Sequence, residues 1–311
     1  MQRLFTGLQP SGALHIGNYF GVLKQTAEML KDAEGLVMVA DYHALTTLKE
    51  PERLRRNITD VVRDYVAVGV DPKRAIIFQQ SKVPEHTELA WIFQCLVTTA
   101  FLELSHAYKD KVTKGLEANA GLFAYPMLMA ADILLYDTDV VPVGEDQRQH
   151  VEYAREAAAK FNNAYGETFK QPTEKILKSV AVVPGTDGKK MSKSYGNTIP
   201  LFGTKDEIAK AVMSIITDSK AESPEHVYAI HALFRDRASL GGLYSKNKGK
   251  YQILKEALVE DIEALIGPMR TRRESISESD VKKILKEGGE KARAHAGVKM
   301  KDVRKKIGVT I

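Results

Sequence analysis

Two apolar patterns alternate along the first two-thirds of the chain. Residues 3–8, 35–41 and 74–79 are short, mostly apolar runs, and residues 141–147 follow another. Such runs predict strands buried on both faces, as in the middle of a parallel sheet covered by helices. Between them the spacing becomes helical. Ile16, Tyr19, Phe20, Leu23, Ala27 and Leu30 share one stripe, as do Leu54, Ile58, Val61, Val62, Tyr65 and Val66. Pro51 opens the second helix and Gly69 closes it. Residues 125–136 predict a helix that is apolar almost all round, 145–161 a further helix, and 180–183 a last short strand. The stretch 109–114 reads as an exposed basic loop.

This alternation predicts an α/β fold with a doubly wound, Rossmann-like parallel sheet. Beyond Ser194 the strands stop. Residues 206–217, 224–234, 248–266 and 280–307 keep a helical period, broken by Gly, Pro and Ser. The expected organisation is an α/β domain over 1–195 and an all-helical domain over 196–311, with the extreme C-terminus packing back on the first.

Composition narrows the class. The 44% hydrophobic content of the 311 residues suffices for a real core. No apolar run reaches the roughly 18 residues of a membrane span, and no signal-peptide pattern opens the chain, so a cytoplasmic protein without a membrane partner is expected. The single cysteine, Cys95, excludes an intramolecular disulfide and any multi-cysteine zinc or iron–sulfur site. Its apolar surroundings, 91–97, predict a buried structural thiol. A net charge of +5 is compatible with a polyanionic partner without requiring one.

Candidate chemistry concentrates in two stretches. In residues 9–18, Pro10, Ser11 and Gly12 form a tight-turn signature between the first strand and the first helix. His15 and Asn18 then fall in the first helical turn, where free backbone N–H groups favour an anion, and Gly17 lets a base or ribose approach the backbone. A helix cap is the commoner role for such a histidine. The other stretch, 184–194, is a glycine-punctuated loop with three lysines, able to neutralise a polyphosphate or simply to be a solvated basic turn. In a doubly wound sheet, ligands gather beyond the carboxyl ends of the strands, so Gln9, 41–43 and 141–147 can converge. His43 reads equally well as a packed residue. Asp132, a lone acid in an apolar helix, needs either a protein partner or a ligand that donates to it. Asp146 suits a ribose hydroxyl or a helix N-cap.

Together, His15-Ile16-Gly17-Asn18 and Lys190-Met191-Ser192-Lys193-Ser194 resemble the paired signatures of the class I aminoacyl-tRNA synthetases, with Asn18 where most of the class has His. Around the apolar helix the resemblance narrows to the bacterial-type, tryptophan-specific branch, and it covers essentially the whole chain. It implies that His15, Asn18, Lys111, Lys190 and Lys193 serve catalysis. ATP would be held by Gln9, Pro10, Ser11, Gly17, Asn18, Gly144, Glu145, Asp146, Val183, Lys190, Met191, Ser192, Lys193 and Ser194. Tryptophan would be held by Phe5, Gln9, His43, Tyr125, Met129, Asp132, Val141, Val143 and Gln147, the indole N–H donating to Asp132. Tyrosine enzymes, the alternative, offer polar groups where this chain has Phe5 and Met129. The resemblance further implies Mg²⁺ carried by ATP rather than by a protein site, tRNA(Trp) as partner, anticodon reading by the helical domain, and a homodimer formed through 85–104 and 121–136.

Overall fold

At the centre of the sheet lies the first apolar run, Arg3–Leu8 (β1). In the computed structural model, which describes all residues except 116, 145–147, 177–182, 218–223 and 311, β1 is flanked by Glu34–Val39 (β2) and Val140–Val143 (β4). Ala75–Gln79 (β3) lies outside β2 and Thr173–Ile176 (β5) outside β4, giving the order β3-β2-β1-β4-β5 with every pairing parallel. The order reverses between β1 and β4. A crevice is therefore expected at the carboxyl ends of these two strands.

Helices cover both faces. On one, a continuous helix built from Ile16–Asn18, the π-turn Tyr19–Leu23 and Lys24–Met29 buries Ile16, Tyr19, Phe20 and Leu23. Pro51–Ala67 shares that core, and so do the later helices Lys205–Met213, Glu225–His231 and Tyr251–Glu274. On the other face, Glu85–Gln94, Ala120–Leu134 and Arg148–Tyr165 enclose Phe93, Met127 and Phe161.

The last helix, Glu278–Lys306, returns to the sheet. It crosses β3 at Gly288, where a Cβ would lie 1.8 Å from the Ile77 carbonyl oxygen, so only glycine permits this approach. Its Ala292, Ala296, Met300 and Val303 enter the same core as Phe93, and its Lys299 pairs with Asp137 at 2.6 Å.

Several expectations are corrected. Residues 106–113 are a helix, His106–Thr113, and not a loop. It is a polar surface helix without an apolar stripe, extended by an Asp110–Lys114 pair at 2.8 Å. Cys95 is exposed, because Leu89, Ala90 and Phe93 take the buried side of Glu85–Gln94 and the chain turns outward after Gln94. Strand β5 carries Glu174 and Lys175, charges usual on an edge strand and invisible to a search for apolar runs. The strand expected over 180–183 falls largely outside the described residues. Arg237–Lys246 is an additional helix.

Candidate active site

Beyond the carboxyl ends of β1 and β4 lies a cavity of about 380 Å³. Phe5, Gln9, His43, Tyr125, Met129, Asp132, Val141, Val143 and Gly144 all line it. Glu145, Asp146 and Gln147 lie outside the described residues. Phe5 stacks on Tyr136, with ring centroids 5.9 Å apart, and forms an apolar wall. Met38, Ile133 and His150 also line the space. Tyr125 accepts a 3.3 Å hydrogen bond from Ser105 Oγ, and its ring meets that of His43 edge-on.

Asp132 is fully buried, and the protein supplies it with three donors. His43 Nε2 lies 2.7 Å from Oδ2, while His86 Nδ1 and Gln80 Nε2 lie 2.6 and 2.8 Å from Oδ1. Burial alone would push this carboxyl's pKa up, but the charge of His86 and the hydrogen bonds from His43 and His86 outweigh it and hold it at about 2. An ionised carboxylate offers about four acceptor positions, so among the described residues one is left without a donor, on Oδ2. The protein partner that the sequence leaves open is thus a pair of histidines and a glutamine. Gln80 and His86 carry no local signal of this role: Gln80 follows a strand end, and His86 resembles any histidine in a helix's first turn.

The two signature stretches meet. Leu14 and Ile16 pair with residues just past the lysine loop, through Ile16 N to Ile199 O at 3.0 Å and Leu201 N to Leu14 O at 2.9 Å. Lys193 Nζ donates to the Gly12 carbonyl at 3.0 Å. His15 is buried, and that burial, followed by the charge of Lys193, lowers its pKa to about 4, so the ring is neutral near pH 7. Asn18 Oδ1 accepts from the His15 backbone N–H at 3.0 Å, closing the helix start. A Cβ on Gly17 would lie 2.8 Å from His15 Nδ1 and 3.4 Å from Met191 Cβ. In this arrangement its missing side chain admits the histidine ring and the loop.

The loop's conformation is fixed by Asn197, another residue that sequence reasoning misses. Its Oδ1 accepts from Ser192 N at 2.8 Å, and its Nδ2 donates to Asp187 Oδ1 at 2.6 Å and to the Lys190 carbonyl at 3.1 Å. Met191 is buried and donates its N–H to the Val183 carbonyl at 2.9 Å. Lys190, Lys193 and Ser194 are exposed, and the Ser192 and Ser194 hydroxyls lie 2.9 Å apart. Pro10 is buried, with its carbonyl accepting from Asn57 at 2.9 Å, whereas Ser11 is exposed. Lys111 sits on His106–Thr113 and does not line the cavity.

The arrangement offers an apolar slot ending in a carboxylate, beside a strand-to-helix turn faced by a lysine loop. The family model of class I tRNA synthetases for tryptophan and tyrosine (W and Y) matches residues 1–298. A tryptophan–tRNA ligase from Fusobacterium nucleatum is 47% identical over 99% of this chain and 98% of its own length. One from Rhodopirellula baltica is 45% identical over 99% of each. The crystal structure of tryptophanyl-tRNA synthetase from Campylobacter jejuni complexed with ADP and tryptophan superposes with a TM-score of 0.93, at 42% identity, covering 99% of this chain and 100% of that one. The chain belongs to the class I tRNA synthetases, in the family that comprises the tryptophan and tyrosine enzymes.

Proposed function

We propose that this protein is a tryptophan–tRNA ligase that activates L-tryptophan with MgATP and transfers it to the terminal adenosine of tRNA(Trp). The observation that carries the choice of amino acid is Asp132, ionised at the cavity's edge with one acceptor position remaining, among apolar walls that include Phe5 and Met129. An indole N–H fills that position. A tyrosine side chain would find no polar group at Phe5 or Met129.

In the first step a carboxylate oxygen of tryptophan bonds to the α-phosphorus, and the bond to the bridging oxygen breaks, releasing pyrophosphate. In the next, a ribose hydroxyl of the terminal adenosine attacks the activated carbonyl and AMP leaves. Substrate supplies the nucleophile in both, so the protein's work is alignment and charge stabilisation. Neutral His15, Asn18 and the helix start hold phosphates, with Gln9, Pro10, Ser11 and Gly17 along the adenylate. Lys190 and Lys193 take up charge on the departing pyrophosphate, Lys193 exchanging its bond to Gly12 for one to phosphate. His43 and Tyr125 wall the amino-acid end of the cavity.

The basic helices after residue 196 are read as the tRNA-binding part, their cations meeting phosphates that position the nucleic acid. A homodimer fits the exposed apolar side chains of Trp91, Leu104 and Val112. Among the described residues no helix is long and apolar enough to cross a membrane; the enzyme's place is read as the cytoplasm. The test is amino-acid-dependent exchange of pyrophosphate into ATP, followed by charging of tRNA. Tryptophan alone should support exchange, and tRNA(Trp) alone should be charged. Exchange driven by tyrosine would overturn the assignment.

A further inference from the structure

His86 is wholly buried on the first turn of Glu85–Gln94, away from the described cavity lining, yet both its ring nitrogens are engaged. Nδ1 lies 2.6 Å from Asp132 Oδ1 and Nε2 lies 2.8 Å from the Tyr136 hydroxyl. An ionised carboxylate only accepts, so the ring carries a proton on Nδ1 and donates it there. The Tyr136 hydroxyl has no other polar partner among the described residues, and its ring is the one stacked on Phe5. A single buried side chain thus links the acid at one side of the cavity to the ring stacked behind its Phe5 wall.

The surrounding packing reinforces this linkage. Glu85 and Glu88, which flank His86, are gripped by Arg293 at 3.4 Å and by Arg304 at 2.7 Å from the C-terminal helix. Gln80 donates to the same Oδ1 while its own Oε1 accepts from the Tyr42 N–H at 3.1 Å. With both acceptor positions of Oδ1 filled and one of Oδ2 taken by His43, the carboxylate cannot rotate without breaking several bonds.

We propose that His86 is a positioning residue for substrate recognition: by tying Asp132 to Tyr136 it fixes the carboxylate so that one acceptor position of Oδ2 is presented to the indole N–H. This rests on the cavity being the tryptophan site. It adds that selectivity is set by a residue that does not line the cavity. Among the described residues the groups facing Asp132 are His43 on Asp41–Ala44, Gln80 in the turn after β3, His86 on Glu85–Gln94, and Tyr136 just beyond its own helix, with Glu85 acting on Tyr136 by charge. Without His86, burial is less fully opposed and Asp132 becomes easier to protonate.

The experiment measures KM for tryptophan and for ATP by pyrophosphate exchange from pH 5.5 to 8, in the full chain and in His86→Leu, His86→Asn, Tyr136→Phe and Asp132→Asn. His86→Leu should raise the tryptophan KM by ~10- to 100-fold, the scale of a hydrogen bond to a charged group, and leave the ATP KM within about twofold. Its tryptophan KM should also climb further as the pH falls, a trend absent from the parent. His86→Asn, which restores a donor near Nδ1, should recover most of the loss. Tyr136→Phe should raise the tryptophan KM about threefold, the scale of a neutral hydrogen bond, by leaving Nε2 unpartnered. Should His86→Leu not fold, the Asn and Phe variants still decide. If the soluble His86 and Tyr136 variants keep the parent's tryptophan KM and pH profile while Asp132→Asn does not, the positioning role is overturned and the tryptophan site stands. If Asp132→Asn is also unchanged, the reading of the cavity itself fails.

Discussion

Lys193 donates a 3.0 Å hydrogen bond to the carbonyl of Gly12, although 181 positions separate them in sequence. The contact joins the lysine loop to the turn between β1 and the first helix, so the loop's cationic end already lies over the turn where the triphosphate is proposed to bind. A triphosphate entering there need only replace one carbonyl as Lys193's partner.

Removing that amine should therefore damage the chemical step more than ground-state binding. Lys193→Ala is expected to slow single-turnover adenylate formation by ~10²- to 10³-fold, the scale of losing one preorganised charge contact. Tryptophan affinity measured by fluorescence or calorimetry should change little. An unaltered single-turnover rate would remove Lys193 from the mechanism.

Asp132→Asn tests the other end of the cavity. The amide keeps the shape but places a donor group where one or two N–H groups of the protein now point. The tryptophan KM should rise by ~10- to 100-fold, from loss of charge-assisted bonds, while the ATP KM stays near the parent's.

Asn197 holds the loop from beneath with its buried amide. Asn197→Ala leaves the Ser192 N–H and the Asp187 carboxylate without this partner and should lower kcat by about tenfold, the scale of one or two hydrogen bonds. The tryptophan KM should be spared. Equal losses in kcat/KM for both substrates with unchanged kcat would contradict a role for the loop's conformation in the chemical step.

His15 gives the stability a pH dependence with a definite sign. Its folded pKa, about 4, lies below the ordinary histidine value of 6.5, so the unfolded chain binds more protons between these values. The contribution is complete above pH 6.5 and is lost as the pH falls towards 4. Chemical denaturation at about pH 7, above the window in which the ring titrates, and at about pH 4.5, near its lower end, should show that His15→Gln loses less stability on acidification than the parent; identical pH dependence would contradict it.

At Gly288, a substitution should be felt by the whole fold. A Cβ 1.8 Å from the Ile77 carbonyl oxygen cannot be accommodated by moving a side chain. Gly288→Ala should cost ~1–3 kcal/mol or more and lower the thermal midpoint by several degrees. A midpoint equal to the parent's would show that the helix does not sit on β3 this closely.

The parts of the fold legible in sequence are those whose period reports burial directly. The runs around β1, β2 and β3 are apolar on both faces because helices cover both, and the Pro51 helix shows one stripe because it has one buried side. Strand β5 and the His106 helix escape because an edge strand and a polar surface helix need no such pattern. Cys95 misleads because its neighbours are apolar while its position on the turn is outward. In the site, most lining residues lie on the strands, just past their ends or on the apolar helix, and these features can be read locally. Gln80, His86 and Asn197 cannot be found that way. Each acts by satisfying a polar group elsewhere in the chain, which only the folded arrangement reveals.

The central claim is that one triphosphate lies between the two signatures with tryptophan beside it, and a crystal structure with a non-hydrolysable ATP analogue and tryptophan tests it most directly. The indole nitrogen should stand within about 3 Å of Asp132 Oδ2, as hydrogen bonding requires, with the phosphates between His15 and Lys193. Phosphates bound elsewhere, or an indole nitrogen turned away from Asp132, would contradict it.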